Sequence, residues 1–171
     1  GLFLGVALVL GGCGGEAPAA GDPAHLPPDA PARTEAPVAL VTGSTDGLGR
    51  ALALTLASEG YHVIVHGRSE ERGREVVAAI EAEGRGSARF LPADFAELRQ
   101  VEALVQVIRA EYDALHLLVN NAGFGYAGPF LEQDPDSIRE MAQVNLASAM
   151  ELSRRFGAAM ARRGHGRILQ G

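Results

Sequence analysis

From Val38 onward, short apolar runs alternate with longer stretches whose apolar residues recur three and four positions apart. The runs predict strands at about 38–42, 61–66, 87–91, 115–120 and 166–170. Between them, Leu48, Leu52 and Leu56 share one helical face, then Val76, Val77 and Ile80, then Leu98, Val101, Val105 and Ile108. Ile138, Met141, Leu152 and Phe156 continue the pattern in a longer helix at about 135–163. All four stripes read as core facing a sheet. Strand and helix in strict alternation predict an α/β fold, a doubly wound parallel sheet. Right-handed crossovers put its strands in the order 3-2-1-4-5, with a crevice between strands 1 and 4 at their carboxyl ends.

Residues 1–37 have a different texture. Leu2 to Leu10 is almost wholly apolar, but a bilayer span needs about 20 such residues. The segment has the length of a signal-peptide core, and Leu10-Gly11-Gly12-Cys13 resembles a bacterial lipobox, in which the cysteine is lipid-modified. The sequence starts at Gly1 rather than Met, so an upstream continuation is expected. Pro18, Pro23, Pro27, Pro28, Pro31 and Pro37 then lie among Ala, Gly and acidic residues, a composition with too little apolar bulk to pack. The chain thus divides into a lipobox-like segment at 1–13, a disordered linker at 14–37 and a globular domain at 38–171. Cys13 is the single cysteine, which excludes an intrachain disulfide.

Charge excludes one class of partner. A net charge of −6 and a pI near 5.3, with no basic stripe interleaved with aromatics, speak against a nucleic-acid surface. The densest basic pairs, Arg154-Arg155 and Arg162-Arg163, fall late in the long predicted helix, where cations favour the dipole.

The candidate chemistry starts at Thr42-Gly43-Ser44-Thr45-Asp46-Gly47-Leu48-Gly49, between the first strand and the first helix. Helix N-termini carry unpaired N–H groups and a partial positive charge, so a phosphate is stabilised there if the backbone can approach closely. Glycine permits that approach. The spacing Gly43-x3-Gly47-x-Gly49 resembles the nucleotide loop of the short-chain dehydrogenase/reductase family, and two further segments extend the likeness: Asp94-Phe95 after the third strand and Asn120-Asn121-Ala122-Gly123 after the fourth. The resemblance implies a Rossmann-type fold and a nicotinamide dinucleotide held by Gly43, Ser44, Thr45, Gly47, Leu48, Gly49, Asp94, Phe95, Asn121, Ala122 and Gly123. Asp94 would meet the adenine amino group.

The cofactor's identity is read at the end of the second strand, Val63-Ile64-Val65-His66-Gly67-Arg68. Members preferring NAD place an acid there for the adenosine ribose. This chain has Gly67 at that position and Arg68 after it, and a guanidinium pairs bidentately with phosphate, so NADP(H) is expected over NAD(H), with Arg72 assisting. His66 reads as a strand-end residue without metal-like partners.

Asn145 shares the helical face of Met141 and Leu152, where a polar group needs hydrogen-bond partners. The resemblance gives it a catalytic part, holding a water in a proton relay. The remaining catalytic residues of the family, a serine after the fifth strand and a Tyr-x-x-x-Lys pair, have no counterpart here. All 15 basic residues are Arg, so Tyr61, Tyr112 and Tyr126 cannot belong to such a pair. Gly166 to Gln170 resembles the strand that precedes the serine.

The expectation is the cofactor-binding portion of an NADP(H)-dependent oxidoreductase acting on a small carbonyl or alcohol, truncated before the last strands, inactive alone and a homo-oligomer when complete. An inactive nucleotide-binding or interaction module, tethered to a membrane through Cys13, is the alternative. The leader, if genuine, implies a membrane-anchored lipoprotein; without it the cytoplasm is expected.

Overall fold

The computed structural model describes residues 34–171. The lipobox-like segment, Cys13 and the greater part of the linker lie outside the described residues. The elements follow the predicted alternation: β1 Val38–Val41, α1 Gly47–Ser58, β2 His62–Gly67, α2 Glu70–Glu83, β3 Ser87–Pro92, α3 Leu98–Glu111, β4 Leu117–Asn120, α4 Pro135–Ala142, α5 Ser148–Arg163 and β5 Arg167–Gln170. Every strand pair is parallel and the order is β3-β2-β1-β4-β5.

Burial explains the strand sequences. β1, β2 and β4 are buried along their whole length, because helices cover both faces of the sheet and no position alternates toward water. One apolar cluster, with Leu40, Ile64, Leu118, Val105, Ile108, Leu152 and Phe156, fills the α3/α5 face. The other, with Val41, Val63, Val65, Ala53, Val76 and Ile80, fills the α1/α2 face. β5 is exposed at every residue and forms one edge, leaving Ile168 and Leu169 at 38% and 52% exposure.

The helix boundaries have local causes. Asp46, Ser69 and Asp134 cap the N-termini of α1, α2 and α4 with side-chain oxygens, and Pro135 takes the first turn of α4. Gly84 and Gly164 end α2 and α5 in the left-handed conformation.

Three expectations are corrected. Leu48 is 68% exposed and Leu52 and Leu56 are only partly buried; α1 turns Gly49, Ala53 and Ala57 to the sheet. Small residues let its axis approach the strands, which brings its first turn against their carboxyl ends. Leu98, the first residue of α3, is 46% exposed, whereas Val101, Val105 and Ile108 are core. The long helix is not uniform: a π turn at Gln143–Ala147, closed by Ser148 N donating to Gln143 O, joins α4 to α5. Among the described residues, no helix is long and apolar enough to cross a membrane.

Candidate functional site

At the carboxyl ends of β1, β2 and β4 the glycine loop and the Asn120–Gly123 segment close against each other. Thr42 is the hinge between them. Its hydroxyl accepts from the backbone N–H groups of Asn121 and Ala122, both at 2.9 Å. Asn121 answers with its side-chain amide, donating to Thr42 O at 2.9 Å and Gly43 O at 3.2 Å. Gly43 has φ +63°, and a Cβ there would stand 2.8 Å from Ala122 Cα. At Gly49 a Cβ would stand 2.3 Å from Gly43 O and 2.4 Å from Asn121 Nδ2. These two glycines are required by close approach between backbones, the geometry a phosphate cradle needs.

A cleft opens beside this clamp. Gly43, Thr45, His66 and Gly67 line one part of it, with Arg68, Arg72, Ala93 and Asp94; Phe95, Ala122, Gly123, Phe124 and Val144 line the rest. Gly47, Leu48 and Gly49 sit just outside, at the start of α1. The Leu48 side chain points to solvent, so only backbone is left to meet an anion there. Asp46 caps this turn, accepting from Gly47 N at 2.7 Å.

Two guanidiniums converge on the cleft, each beside a carboxylate: Arg68 is 3.9 Å from Asp94 and Arg72 is 3.6 Å from Asp46. All four are substantially solvated, so these pairs orient the arginines more than they stabilise the fold. Asp94 is fixed from behind, its carboxylate accepting from Ala96 N at 3.0 Å and its backbone N–H donating to Gln100 at 2.8 Å.

Two of the expected contact residues also serve the fold. Ser44 is fully buried: its N–H donates to His66 O at 2.8 Å, its hydroxyl donates to Val41 O at 2.7 Å and accepts from His66 N at 2.9 Å. These bonds tie the loop to β2 through the Ser44 N–H and hydroxyl. Phe95 is 4% exposed and stacks on the His66 ring at 4.0 Å, so it shapes the floor of the cleft.

His66 was not anticipated as part of the site. Its Nδ1 accepts from Gly43 N at 3.1 Å and its Nε2 bonds Ala93 O at 3.2 Å, which fixes the neutral Nε2–H tautomer. Burial pushes its pKa down to about 4, against the opposing pull of Ala93 O and Asp94. A strand-end histidine carries no motif, so only the fold reveals its role.

Asn145 lies in the π turn and is exposed rather than core-facing, contrary to its place on the ideal helical stripe. The widened turn rotates it toward the loop after β4. There Nδ2 donates to Phe124 O at 2.8 Å and Oδ1 accepts from Phe124 N at 3.0 Å, a two-point grip on backbone beside Gly123. Asn120 turns the other way, donating to Ser153 at 2.9 Å and Gln170 at 3.1 Å and so joining β4 to α5 and β5. Among the described residues, no group of three or more His, Cys, Asp or Glu is placed to hold a metal.

Comparison with known proteins matches residues 37–170 to the short chain dehydrogenase family. The 3beta-hydroxysteroid dehydrogenase of Mediterraneibacter gnavus is 40% identical over 117 residues, covering 68% of this chain and 42% of that protein. The 3-oxoacyl-(acyl-carrier-protein) reductase FabG of Escherichia coli is 33% identical over 135 residues, covering 79% of this chain and 54% of its own. This chain thus spans about half the length of these curated relatives. A crystal structure of a metagenomic short-chain oxidoreductase in complex with NADP superposes with a TM-score of 0.73 at 34% identity, over 77% of this chain and 59% of that one. Sheet order, glycine loop and sequence agree over the same residues: this chain belongs to the short chain dehydrogenase family.

Proposed function

We propose that residues 38–171 form the cofactor-binding part of an oxidoreductase that uses NADP(H) in preference to NAD(H). The reading rests on one observation: Gly67, with no carboxylate, and Arg68 and Arg72, with two guanidiniums, share a cleft with the glycine loop. The fit is physical as well as compositional. The near-contacts a Cβ would make at Gly43 and Gly49 mark a backbone cradle, and two cations suit an additional phosphate, where a ribose hydroxyl would require an acceptor.

In this reading the backbone at Gly43–Gly49 holds the pyrophosphate, Arg68 and Arg72 hold the ribose phosphate, Asp94 meets the adenine, and Asn121 to Gly123 line the path toward the nicotinamide. The bound cofactor would supply hydride exchange with a carbonyl or alcohol carbon. Asn145, through its grip on Phe124, orders the loop beside the nicotinamide end, where a relay water would sit. Since the 171 residues contain no lysine, we propose that they bind and orient cofactor and do not by themselves complete a Tyr-x-x-x-Lys proton donor.

Titration of the purified chain with NADPH and NADH tests this. NADPH is expected to bind more tightly, and Arg68→Ala to remove most of the difference; equal affinities in the unmodified chain would overturn the NADP(H) assignment. Turnover of a carbonyl substrate with NADPH by the chain alone would overturn the division of labour.

A further inference from the structure

We propose that Ser148 is a positioning residue, holding the two ends of the cleft at the spacing that one dinucleotide spans. The proposal rests on the cofactor-binding reading above. Ser148 begins α5 directly after the π turn and is fully buried. Its hydroxyl lies 2.9 Å from Gln143 O and 3.0 Å from Phe95 O, two acceptors for one proton. The backbone decides between them. Gln143 O already accepts from Ser148 N, the bond that closes the π turn, whereas Phe95 O has the Ser148 hydroxyl as its donor among the described residues. The proton therefore goes to Phe95 O, because a buried carbonyl left unpaired is costly. A long contact from Gln143 Nε2, at 3.4 Å, meets a lone pair of the same hydroxyl oxygen.

That bond joins the two ends of the cleft. At one end, Asp94 holds Ala96 N with its carboxylate, and Phe95 stacks on His66, which holds Gly43 N. At the other, the π turn places Val144 in the cleft wall and turns Asn145 onto both backbone groups of Phe124. Val144 also packs on the apolar cluster that contains Phe95, but apolar contact is non-directional and sets no register. The Ser148 hydrogen bond does set one. Ser148 does not line the cleft itself, so it acts through the residues on either side. A cleft fixed at one spacing loses less free energy to ordering when a ligand long enough to span it binds.

The test is calorimetric titration of the whole chain with NADPH, which spans the cleft, and with 2′,5′-ADP, which reaches the adenine end alone. Ser148→Ala is expected to bind 2′,5′-ADP as the unmodified chain does, and NADPH about tenfold more weakly, the cost of ordering roughly one residue on binding. Ser148→Thr, which keeps the hydroxyl, should retain the NADPH affinity. In amide NMR spectra Ser148→Ala should move the Phe124 resonance, because the π turn that carries Asn145 loses its tie to Phe95. Should the alanine variant not fold, Ser148→Cys, close to serine in size and a weak donor, makes the same comparison. Equal losses of NADPH and 2′,5′-ADP would reduce Ser148 to a stabilising residue and overturn the proposal. An unchanged NADPH affinity, an unmoved Phe124 amide, or a threonine variant as weak as the alanine one overturns it too. A chain that binds both ligands and fails these variant tests sinks the role of Ser148 alone. A chain that binds neither sinks the cofactor reading and this inference with it.

Discussion

Gly43, Gly47 and Gly49 occupy one loop for different reasons, and the difference can be measured. Gly47 has φ +51° with nothing among the described residues within 4 Å of its missing Cβ, whereas Gly49 is helical and its Cβ would press on Gly43 O and Asn121 Nδ2. Gly47→Ala should therefore cost only the left-handed strain, roughly 1 kcal/mol. Gly49→Ala inserts a methyl where both neighbours are held by hydrogen bonds, and should cost about 1–3 kcal/mol as overpacking while weakening nucleotide binding, because it parts the loop from Asn121. Urea unfolding and NADPH titration of the two variants side by side check this; equal losses would refute the distinction. At this scale the sequence was readable where backbone demands fix a residue, as at Gly43 with its positive φ and close approach to Ala122. It did not reveal that Ser44 and His66 hydrogen-bond each other and tie the loop to β2, because a buried serine and histidine have no spacing that announces such a contact.

The elements themselves were largely legible, since parallel strands buried on both faces produce apolar runs and the helices between them repeat near 3.6. Legibility failed where hydropathy misreports packing. In α1 the leucines form the conspicuous stripe, yet the alanines and Gly49 take the sheet face because only small side chains permit the short helix-to-sheet distance. At residues 143–147 one extra residue in a turn shifts everything after it, which an ideal helical projection cannot register. Another feature visible only in the fold ties α3 to the far end of the sheet, away from the cleft: buried Arg89 on β3 pairs with Glu111, while His62 Nε2 meets the Tyr112 hydroxyl at 2.9 Å and His62 Nδ1 meets Ser87 at 2.7 Å. Burial raises the Tyr112 pKa to about 12, so its hydroxyl stays protonated. Among the described residues Arg89 Nη2 is buried without a partner, so its charge depends on Glu111. Glu111→Gln should destabilise the chain by on the order of 3 kcal/mol, because it strips the compensating charge from a buried cation. Arg89→Met/Glu111→Leu should recover most of that loss. A single variant as stable as the unmodified chain, judged by chemical denaturation, would show that the pair contributes nothing.

For the molecule as a whole, buried histidines set how stability responds to acid. His66 is held neutral with its pKa near 4, and His62 and His116 are also lowered, burial being the first cause in each. In the unfolded chain all three return toward 6.5. Between those values the unfolded state binds more protons than the native one, so stability rises with pH. The contribution is fully present above about pH 6.5, is lost as pH falls toward 4 and levels off below it. For His66 alone the span corresponds to about 3 kcal/mol. The chain should therefore show a falling urea midpoint from pH 7 to pH 4.5, before most carboxylates have titrated. His66→Gln, which cannot take up that proton, should be less stable at pH 7 and show a shallower slope. Nucleotide affinity should follow the same curve, since a proton on Nδ1 removes the acceptor that holds Gly43 N and with it the set of the glycine loop. A His66→Gln slope as steep as that of the unmodified chain would assign the acid sensitivity to other groups. An NADPH affinity that stays constant while stability falls would separate the loop from its histidine.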